Sequence, residues 1–147
     1  MSRRALRGFD AERFSELRRS RMTMSDLVRL SDVPSATIYA WEAGTFTPQV
    51  DKLAAVMHAL DCPVDCVVNV PLDERFPGDW RVLLGLTQSD LATTAEISRS
   101  VLQRIESGET APTDEQAEVL SRLLGTTPAE YKAAWRRAKE RPPGTPV

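Results

Sequence analysis

The feature that most constrains the fold of this chain is an internal repeat. Residues 22–48 align without a gap with residues 86–112 at a constant offset of 64, and seven of the 27 aligned positions are identical. These identities are Thr23/Thr87, Ser25/Ser89, Asp26/Asp90, Leu27/Leu91, Glu42/Glu106, Gly44/Gly108 and Pro48/Pro112. Upstream the register slips by one residue, so that Leu17-Arg18 pairs with Trp80-Arg81. Self-similarity of this length predicts two copies of one small domain.

Each copy begins with the signals of a short helix. Thr23 and Thr87 are of the residue type that caps helix N-termini, and an aspartate follows each of them by three residues. A second helix is predicted to begin at Ser98 in the second copy and at Pro34-Ser35 in the first. Each copy is therefore expected to open with two short helices separated by a brief turn.

Glycines and prolines mark where these helices end. Gly44 and Gly108 supply the left-handed backbone conformation that terminates helices, and Pro48 and Pro112 precede a further helix. In the first copy the apolar residues of that helix recur at helical spacing, at Leu53, Val56, Met57 and Leu60. Two short helices with one apolar side each, joined by a turn of three or four residues, form a helix-turn-helix motif.

The sequence therefore predicts an all-α chain of two tandem helix-turn-helix domains, each of about five short helices. The expected organisation is a basic N-terminal arm at 1–8, domain 1 at 9–68, a linker at 69–76, domain 2 at 77–138 and a disordered tail at 139–147. Because a connector of this length spans at most about 30 Å at ~3.3 Å per residue, the two domains are expected to be near neighbours.

The second helix of each motif is predicted to have a buried side and an outward side. The residues expected underneath are Val33, Ile38 and Trp41 in the first copy and Ile97, Leu102 and Ile105 in the second. The outward residues are then Ser35, Ala36, Tyr39 and Ala40 in the first copy and Arg99, Ser100, Gln103 and Arg104 in the second. In the major groove of DNA, arginine pairs with guanine and glutamine with adenine, each worth roughly 1–3 kcal/mol of discrimination. The second copy therefore carries base-reading chemistry.

The stretches LTQSDLA and EISRSVLQRIESGETAP of the second copy resemble the lambda-repressor-like, Cro and xenobiotic-response-element family of bacterial and phage DNA-binding domains. The resemblance extends over both copies, about residues 9–136. It implies a transcriptional regulator that binds double-stranded DNA sequence-specifically. It also implies that Gln88 anchors the motif to the DNA backbone, and that Arg99, Ser100 and Gln103 face base edges.

The first copy departs from the family pattern at its reading positions. Met24 stands where the pattern has glutamine, and Pro34 replaces a capping serine. On its reading helix, Tyr39 is able to bond a phosphate, and Ala36 or Thr37 to contact a thymine methyl group. The sequence leaves open whether this copy contacts DNA.

The charge of the chain is unevenly distributed. The formal net charge of -2 does not favour phosphate binding, but residues 1–30 carry eight arginines against four acidic residues. The candidates for phosphate or arm contacts are Arg3, Arg4 and Arg7 in the arm and Thr23 and Thr87 at helix starts. The arginines of the first helix are expected either to contact phosphates or to form a solvated face, and they are Arg13, Arg18, Arg19 and Arg21.

No catalytic, metal or cofactor chemistry is predicted. Cys62 and Cys66 are too few for a disulfide framework and are interpreted as reduced thiols, and Pro63 argues against a metal site that would include His58. A catalytic triad and a glycine-rich phosphate loop are both missing, so we expect neither an enzyme nor a small-molecule substrate. No apolar run approaches the roughly 18 to 20 residues of a membrane span, which favours a cytoplasmic, nucleoid-associated protein.

Two alternatives stay open from the sequence. The stretch PAEYKAAWRRAKE, with Tyr131 and Trp135 on one side, either closes domain 2 or forms a homodimer interface. The chain either reads DNA, at an asymmetric site because its two outward faces differ, or acts as a protein-binding adaptor or antitoxin-like module with little DNA specificity. Overall charge favours the adaptor, whereas Gln88, Arg99 and Gln103 favour DNA.

Overall fold

A computed structural model describes residues 6–147 of the chain. The chain divides into two compact units, unit 1 ending at Asn69 and unit 2 comprising Val70–Val147. Over the described residues the regular structure is helical, apart from one antiparallel bridge between Phe9 and Val68. The predicted all-α class with two helix-turn-helix domains is confirmed. No helix within 6–147 has both the length and the apolar character that crossing a bilayer requires.

Unit 1 contains four α-helices followed by one short 3-10 helix. The helices are α1 (Ala11–Arg21), α2 (Met24–Ser31), α3 (Ser35–Glu42) and α4 (Val50–Ala59), and the 3-10 helix is Val64–Cys66. α2 and α3 form the helix-turn-helix motif, with α3 beginning at the predicted residue. The turn between them passes through Asp32 in the left-handed conformation, with φ of 60°.

Unit 2 opens with a short 3-10 helix and continues with five α-helices. The 3-10 helix is Leu72–Glu74, and the α-helices are α5 (Pro77–Leu83), α6 (Gln88–Ala95), α7 (Arg99–Glu106), α8 (Asp114–Leu124) and α9 (Pro128–Glu140). α6, α7 and α8 begin 64 residues after α2, α3 and α4, so the offset of the repeat is also the offset of the helices.

Threonine caps begin the first helix of both motifs, as predicted. The Thr87 hydroxyl accepts from the Asp90 N–H at 3.1 Å, and the Asp90 carboxylate accepts from the Thr87 N–H at 3.0 Å. These hydrogen bonds with Thr87 hold the pKa of Asp90 below its usual value, so the cap loses strength as the pH falls through that lowered pKa. In unit 1 the Thr23 hydroxyl accepts from the Asp26 N–H at 3.2 Å, while the Asp26 carboxylate pairs with Arg29.

The predicted inner faces of α3 and α7 are part of the cores. In unit 1, Ile38 and Trp41 of α3 are buried, and the ring centroid of Trp41 lies 5.8 Å from that of Phe14. In unit 2, Leu102 and Ile105 of α7 are fully buried. Burying an aliphatic side chain of this size contributes about 1.5–3 kcal/mol, so these contacts hold each reading helix to its unit.

The C-terminal helix closes unit 2. Tyr131 is fully buried in the core, with its ring centroid 6.3 Å from that of Trp80, and Trp135 packs against the same core. Of the two alternatives that the sequence left open for Tyr131 and Trp135, the structure shows closure of domain 2.

Residues 70–76, expected to be a linker, belong to unit 2. Val70 and Phe76 are buried, and the Arg137 side chain of α9 donates hydrogen bonds to the carbonyls of Arg75 at 2.9 Å and Leu72 at 3.2 Å. This segment is therefore packed against α9 instead of serving as a free connector.

Residues 139–147, expected to be a disordered tail, also make defined contacts. α9 continues to Glu140, and the Arg141 guanidinium donates to the Ser107 carbonyl at 2.7 Å and to the Thr145 carbonyl at 3.1 Å. Local composition predicted a tail, whereas the contact of Arg141 with Ser107, 34 positions away in the sequence, anchors the start of this segment.

Gly108, which follows the end of α7, lies close to the backbone of α9. Its φ is 82°, and a Cβ placed on it would lie 2.8 Å from the backbone nitrogen of Lys139. Gly44, the equivalent residue of unit 1, has φ of 73°, and a Cβ there would meet no atom within 4 Å. At this position of the repeat, unit 1 requires glycine for its positive φ angle. Unit 2 requires glycine for the positive φ angle and also for the close approach to α9.

We predict that Gly108→Ala destabilises unit 2 more than Gly44→Ala destabilises unit 1. Both variants incur the left-handed penalty of roughly 1–2 kcal/mol, and Gly108→Ala adds an overpacking cost of roughly 1–3 kcal/mol. Hydrogen exchange of the full chain during denaturant titration measures each unit separately. Equal free-energy losses in the two variants would contradict the close approach.

Candidate DNA-binding surfaces

The outward face of α7 is polar and basic. All four residues predicted for it are exposed, and they are Arg99, Ser100, Gln103 and Arg104. Within residues 6–147, the side chains of Arg99, Gln103 and Arg104 have no hydrogen-bond or ion-pair partner. Ser98 caps the start of this helix by accepting from the Val101 N–H at 3.1 Å. α7 therefore presents two guanidinium groups and one amide that are free to bind a ligand.

A buried ion pair anchors the C-terminal end of α7 to α5. Arg81 donates to Glu106 twice, from Nε to Oε2 at 2.8 Å and from Nη2 to Oε1 at 3.0 Å. The side chains are 12% and 7% exposed, respectively, so water screens the pair little. Arg81 also donates to the Leu86 carbonyl at 2.8 Å, which ties the end of α5 to the loop before α6. Bidentate geometry of this kind fixes orientation as well as distance.

Gln88 belongs to the same polar cluster. Its side-chain amide donates to Glu106 Oε1 at 2.9 Å, so the carboxylate accepts three side-chain hydrogen bonds. The side chain is half-buried at the first turn of α6. The family resemblance implies a contact between this residue and the DNA backbone, and the structure shows its amide bound to the residue that ends the reading helix.

Unit 1 contains the corresponding ion pair between α1 and α3. Arg18 donates to Glu42 from Nε at 2.7 Å and from Nη2 at 3.0 Å, with side chains 11% and 7% exposed. The hydrogen bond with Glu42 raises the pKa of Arg18. Arg18 was predicted to contact phosphates or lie on a solvated face, and both alternatives are wrong. Buried guanidinium groups require a partner, and Glu42 provides one.

The outward face of α3 differs in chemistry from that of α7. Ser35, Ala36 and Tyr39 are exposed, whereas Thr37 and Ala40 are half-buried. None of these side chains is charged. The Tyr39 ring, 52% exposed, lies with its centroid 6.0 Å from the Arg18 Cζ, beside the ion pair. In unit 1, Met24 occupies the position of Gln88, so the amide contact to the carboxylate is replaced by an apolar side chain.

The remaining candidates for phosphate contact are distributed around the helix starts. Arg3 and Arg4 lie outside the described residues, and Arg7 is half-buried in a turn before α1. Thr23 is exposed and Thr87 is half-buried, and their hydroxyls already accept the capping hydrogen bonds. Of the arginines of α1, Arg13, Arg19 and Arg21 are exposed.

The sequence interpretation missed the two ion pairs, although a signal was present. Glu42 and Glu106 are identical in the repeat, and the one-residue slip pairs Arg18 with Arg81. A charged residue kept in both copies at the end of a helix with a buried side indicates a partner inside the domain. The contact of Arg141 with Ser107 had no such signal, because unit 1 has no counterpart of α9.

Comparisons with protein families match both units. Residues 15–65 match the family model described as a Cro/C1-type helix-turn-helix DNA-binding domain, and residues 79–131 match a model described as helix-turn-helix. No curated protein and no solved structure matches the chain. The first match covers α2 and α3, and the second covers α6 and α7, so each includes one complete motif.

We predict that Glu106→Leu lowers the free energy of unfolding of unit 2 by about 3 kcal/mol, because it leaves the Arg81 guanidinium buried without its partner. Adding Arg81→Met removes that charge and should recover most of the loss. Hydrogen exchange of the amides of unit 2 in the full chain during denaturant titration measures both variants. A loss below about 1 kcal/mol in Glu106→Leu would mean that the pair does not hold α7.

Proposed function

We propose that this chain, which consists of two tandem helix-turn-helix domains of the Cro/C1 type, is a sequence-specific DNA-binding transcriptional regulator whose preferred site is asymmetric. The family matches establish a DNA-binding regulator in general terms. Sequence specificity, asymmetry of the site and the residues that read bases go beyond what these matches establish.

The observation that carries the proposal is the outward face of α7. Arg99 and Gln103 are one turn apart on one side of an eight-residue helix, exposed and without partners among the described residues. That spacing suits contacts to neighbouring base pairs, with the guanidinium pairing to guanine and the amide to adenine. Ser100 and Arg104 flank them and supply a hydroxyl group and a second cation.

Base reading also requires a helix that keeps its position. Leu102 and Ile105 are fully buried beneath α7, Glu106 is bound by Arg81 and Gln88, and Ser107 receives the Arg141 hydrogen bond. Contacts from α5, α6 and the segment after α9 therefore restrain the end of α7, and its buried side chains restrain the rest of the helix. Such restraint lowers the ordering cost of binding, which leaves more of the interaction energy for discrimination.

Unit 1 has a lesser part in reading the sequence. Its α3 is held by an equivalent ion pair, but it offers the hydroxyl groups of Ser35 and Tyr39 and the methyl groups of Ala36 and Thr37 in place of charged groups. The hydroxyl groups can bond a phosphate and the methyl groups can contact a thymine methyl group, and such contacts discriminate little between base sequences. One chain then carries one helix that reads bases strongly, α7, and one that reads them weakly, α3. The preferred DNA site is therefore asymmetric.

Phosphate contacts complete the proposed interface. The first turns of α2 and α6 present backbone N–H groups not used in the helices, which is where phosphate oxygens bind to helix N-termini. The arm residues Arg3, Arg4 and Arg7 are proposed as additional phosphate or minor-groove contacts. Such contacts add affinity for any duplex, whereas the face of α7 adds specificity.

We predict that Arg99→Ala and Gln103→Ala each reduce discrimination between the preferred duplex and random duplex by roughly 1–3 kcal/mol, about 5- to 150-fold. The fold should be unaffected, because both side chains are exposed. Affinities of the full chain for both duplexes, measured at one fixed salt concentration, give the ratio.

Arg122→Ala is the matched control, since it removes an exposed arginine from the last turn of α8 and should leave the ratio unchanged. Unchanged discrimination in both Arg99→Ala and Gln103→Ala would refute α7 as the reader.

A further inference from the structure

The two cysteines of the chain lie where unit 1 departs from unit 2. At the offset of the repeat, Val64 corresponds to Pro128, the first residue of α9. Unit 1 forms only the 3-10 helix Val64–Cys66 at this point. Cys62 precedes that short helix and Cys66 ends it, so the cysteines belong to the segment that takes the place of the fifth α-helix.

The backbone of this segment holds the two thiols together. The Cys62 N–H donates to the Met57 carbonyl at 3.0 Å, at the end of α4, and the Cys66 N–H donates to the Pro63 carbonyl at 3.1 Å. Between them, Val64 is buried in the core of unit 1. The Sγ atoms are 2.8 Å apart, and both cysteines are free and half-buried. Forming a bond of about 2.05 Å therefore requires the sulfur atoms to move together by less than an ångström.

We propose that Cys62 and Cys66 are a reversible dithiol–disulfide pair that is oxidised by low-molecular-weight disulfides. Proximity favours this reaction, because the second thiol is already in contact with the first and resolves a mixed disulfide faster than a second external molecule arrives. Partial exposure of both residues admits a small oxidant.

The reaction proceeds in two balanced steps. The Cys62 thiol loses its proton and attacks one sulfur of the external disulfide, which breaks that bond and releases one external thiolate. Cys66 then loses its proton and attacks the Cys62 sulfur, which forms the Cys62–Cys66 bond and releases the second thiolate. Each thiolate takes up one of the two protons. Two cysteine thiols are oxidised, and one external disulfide is reduced to two thiols.

The order of the two cysteines follows from their environment. The hydrogen bond with Cys62, burial and the nearby Asp65 carboxylate together raise the pKa of Cys66 to about 11. Cys66 therefore stays protonated at neutral pH, and in the proposed reaction we assign the first attack to Cys62. In the second step Cys62 is part of the mixed disulfide and no longer supplies the hydrogen bond or the charge that raise the pKa of Cys66, so Cys66 loses its proton more readily while its sulfur lies beside the target.

A disulfide here would act on the segment that holds the start of unit 1. Directly after Cys66, the Val67 carbonyl accepts the Asp10 N–H at 2.8 Å, and Asp10 is the N-cap of α1. The Asn69 N–H donates to the Gly8 carbonyl at 3.0 Å, next to Arg7 of the arm. Oxidation therefore cross-links Cys62, in the loop after α4, to the segment that anchors α1 and the residues leading into the arm.

The test uses the reduced full chain, oxidised glutathione as the probe, and intact mass. We expect the native chain to lose the mass of two hydrogen atoms as a monomer, without accumulating a glutathionyl adduct, and to recover that mass after reduction. In denaturant, half-oxidation of the chain should require a ratio of oxidised to reduced glutathione roughly tenfold higher or more. The reason is that unfolding removes the juxtaposition of the sulfur atoms.

Cys66→Ser is the matched variant, since it keeps Cys62 and removes the resolving thiol. It should retain one glutathionyl group, and circular dichroism verifies that it folds. A native chain that accumulates glutathionyl adducts or intermolecular dimers would overturn the proposal. So would equal half-oxidation ratios for the native and unfolded chains, a result that requires no variant.

Discussion

Each unit depends on a buried arginine–glutamate pair that ties the end of the second helix of its motif, α3 or α7, to its first α-helix, α1 or α5. Arg18–Glu42 and Arg81–Glu106 have the same bidentate geometry, and all four side chains are at most 12% exposed. Apolar burial holds a short helix against the core but leaves it some freedom to slide or rotate, because the hydrophobic effect is not directional. Two parallel hydrogen bonds at a helix end remove that freedom. Water screens these pairs little, so losing one partner would leave an uncompensated charge inside the unit.

The two units combine this common scaffold with different outward faces. The helix offset, the threonine caps and the ion pair recur, whereas Arg99 and Gln103 of α7 correspond to Ser35 and Tyr39 of α3. The polar cluster around the pair differs as well, since Gln88 binds Glu106 in unit 2 while Met24 stands at that position in unit 1. Fold and reading chemistry are thus carried by separate sets of residues, and a repeat of the fold does not require a repeat of the specificity.

Local signals predicted the helices well and missed contacts that are distant in sequence. Thr87, Ser98 and Gly108 marked helix boundaries because capping depends on residues within one turn. Arg18 looked like a surface residue, since its partner lies 24 positions away. The fifth helix of unit 1 is a short 3-10 helix, and the valines that follow it favour the extended bridge to Phe9. The exposed face of α7 was predicted as the set of residues left after its buried residues had been identified. Its role in binding DNA stays a prediction.

The central claim is that two equivalent scaffolds present unequal reading faces, with α7 as the principal reader. A base-pair-resolution footprint of the full chain on the duplex that it selects from random sequence tests this claim most directly. The account predicts one strongly specified half-site that loses its specification in Arg99→Ala, beside a weakly specified flank. A palindromic site whose two halves are equally specified, and equally affected by that substitution, would contradict it.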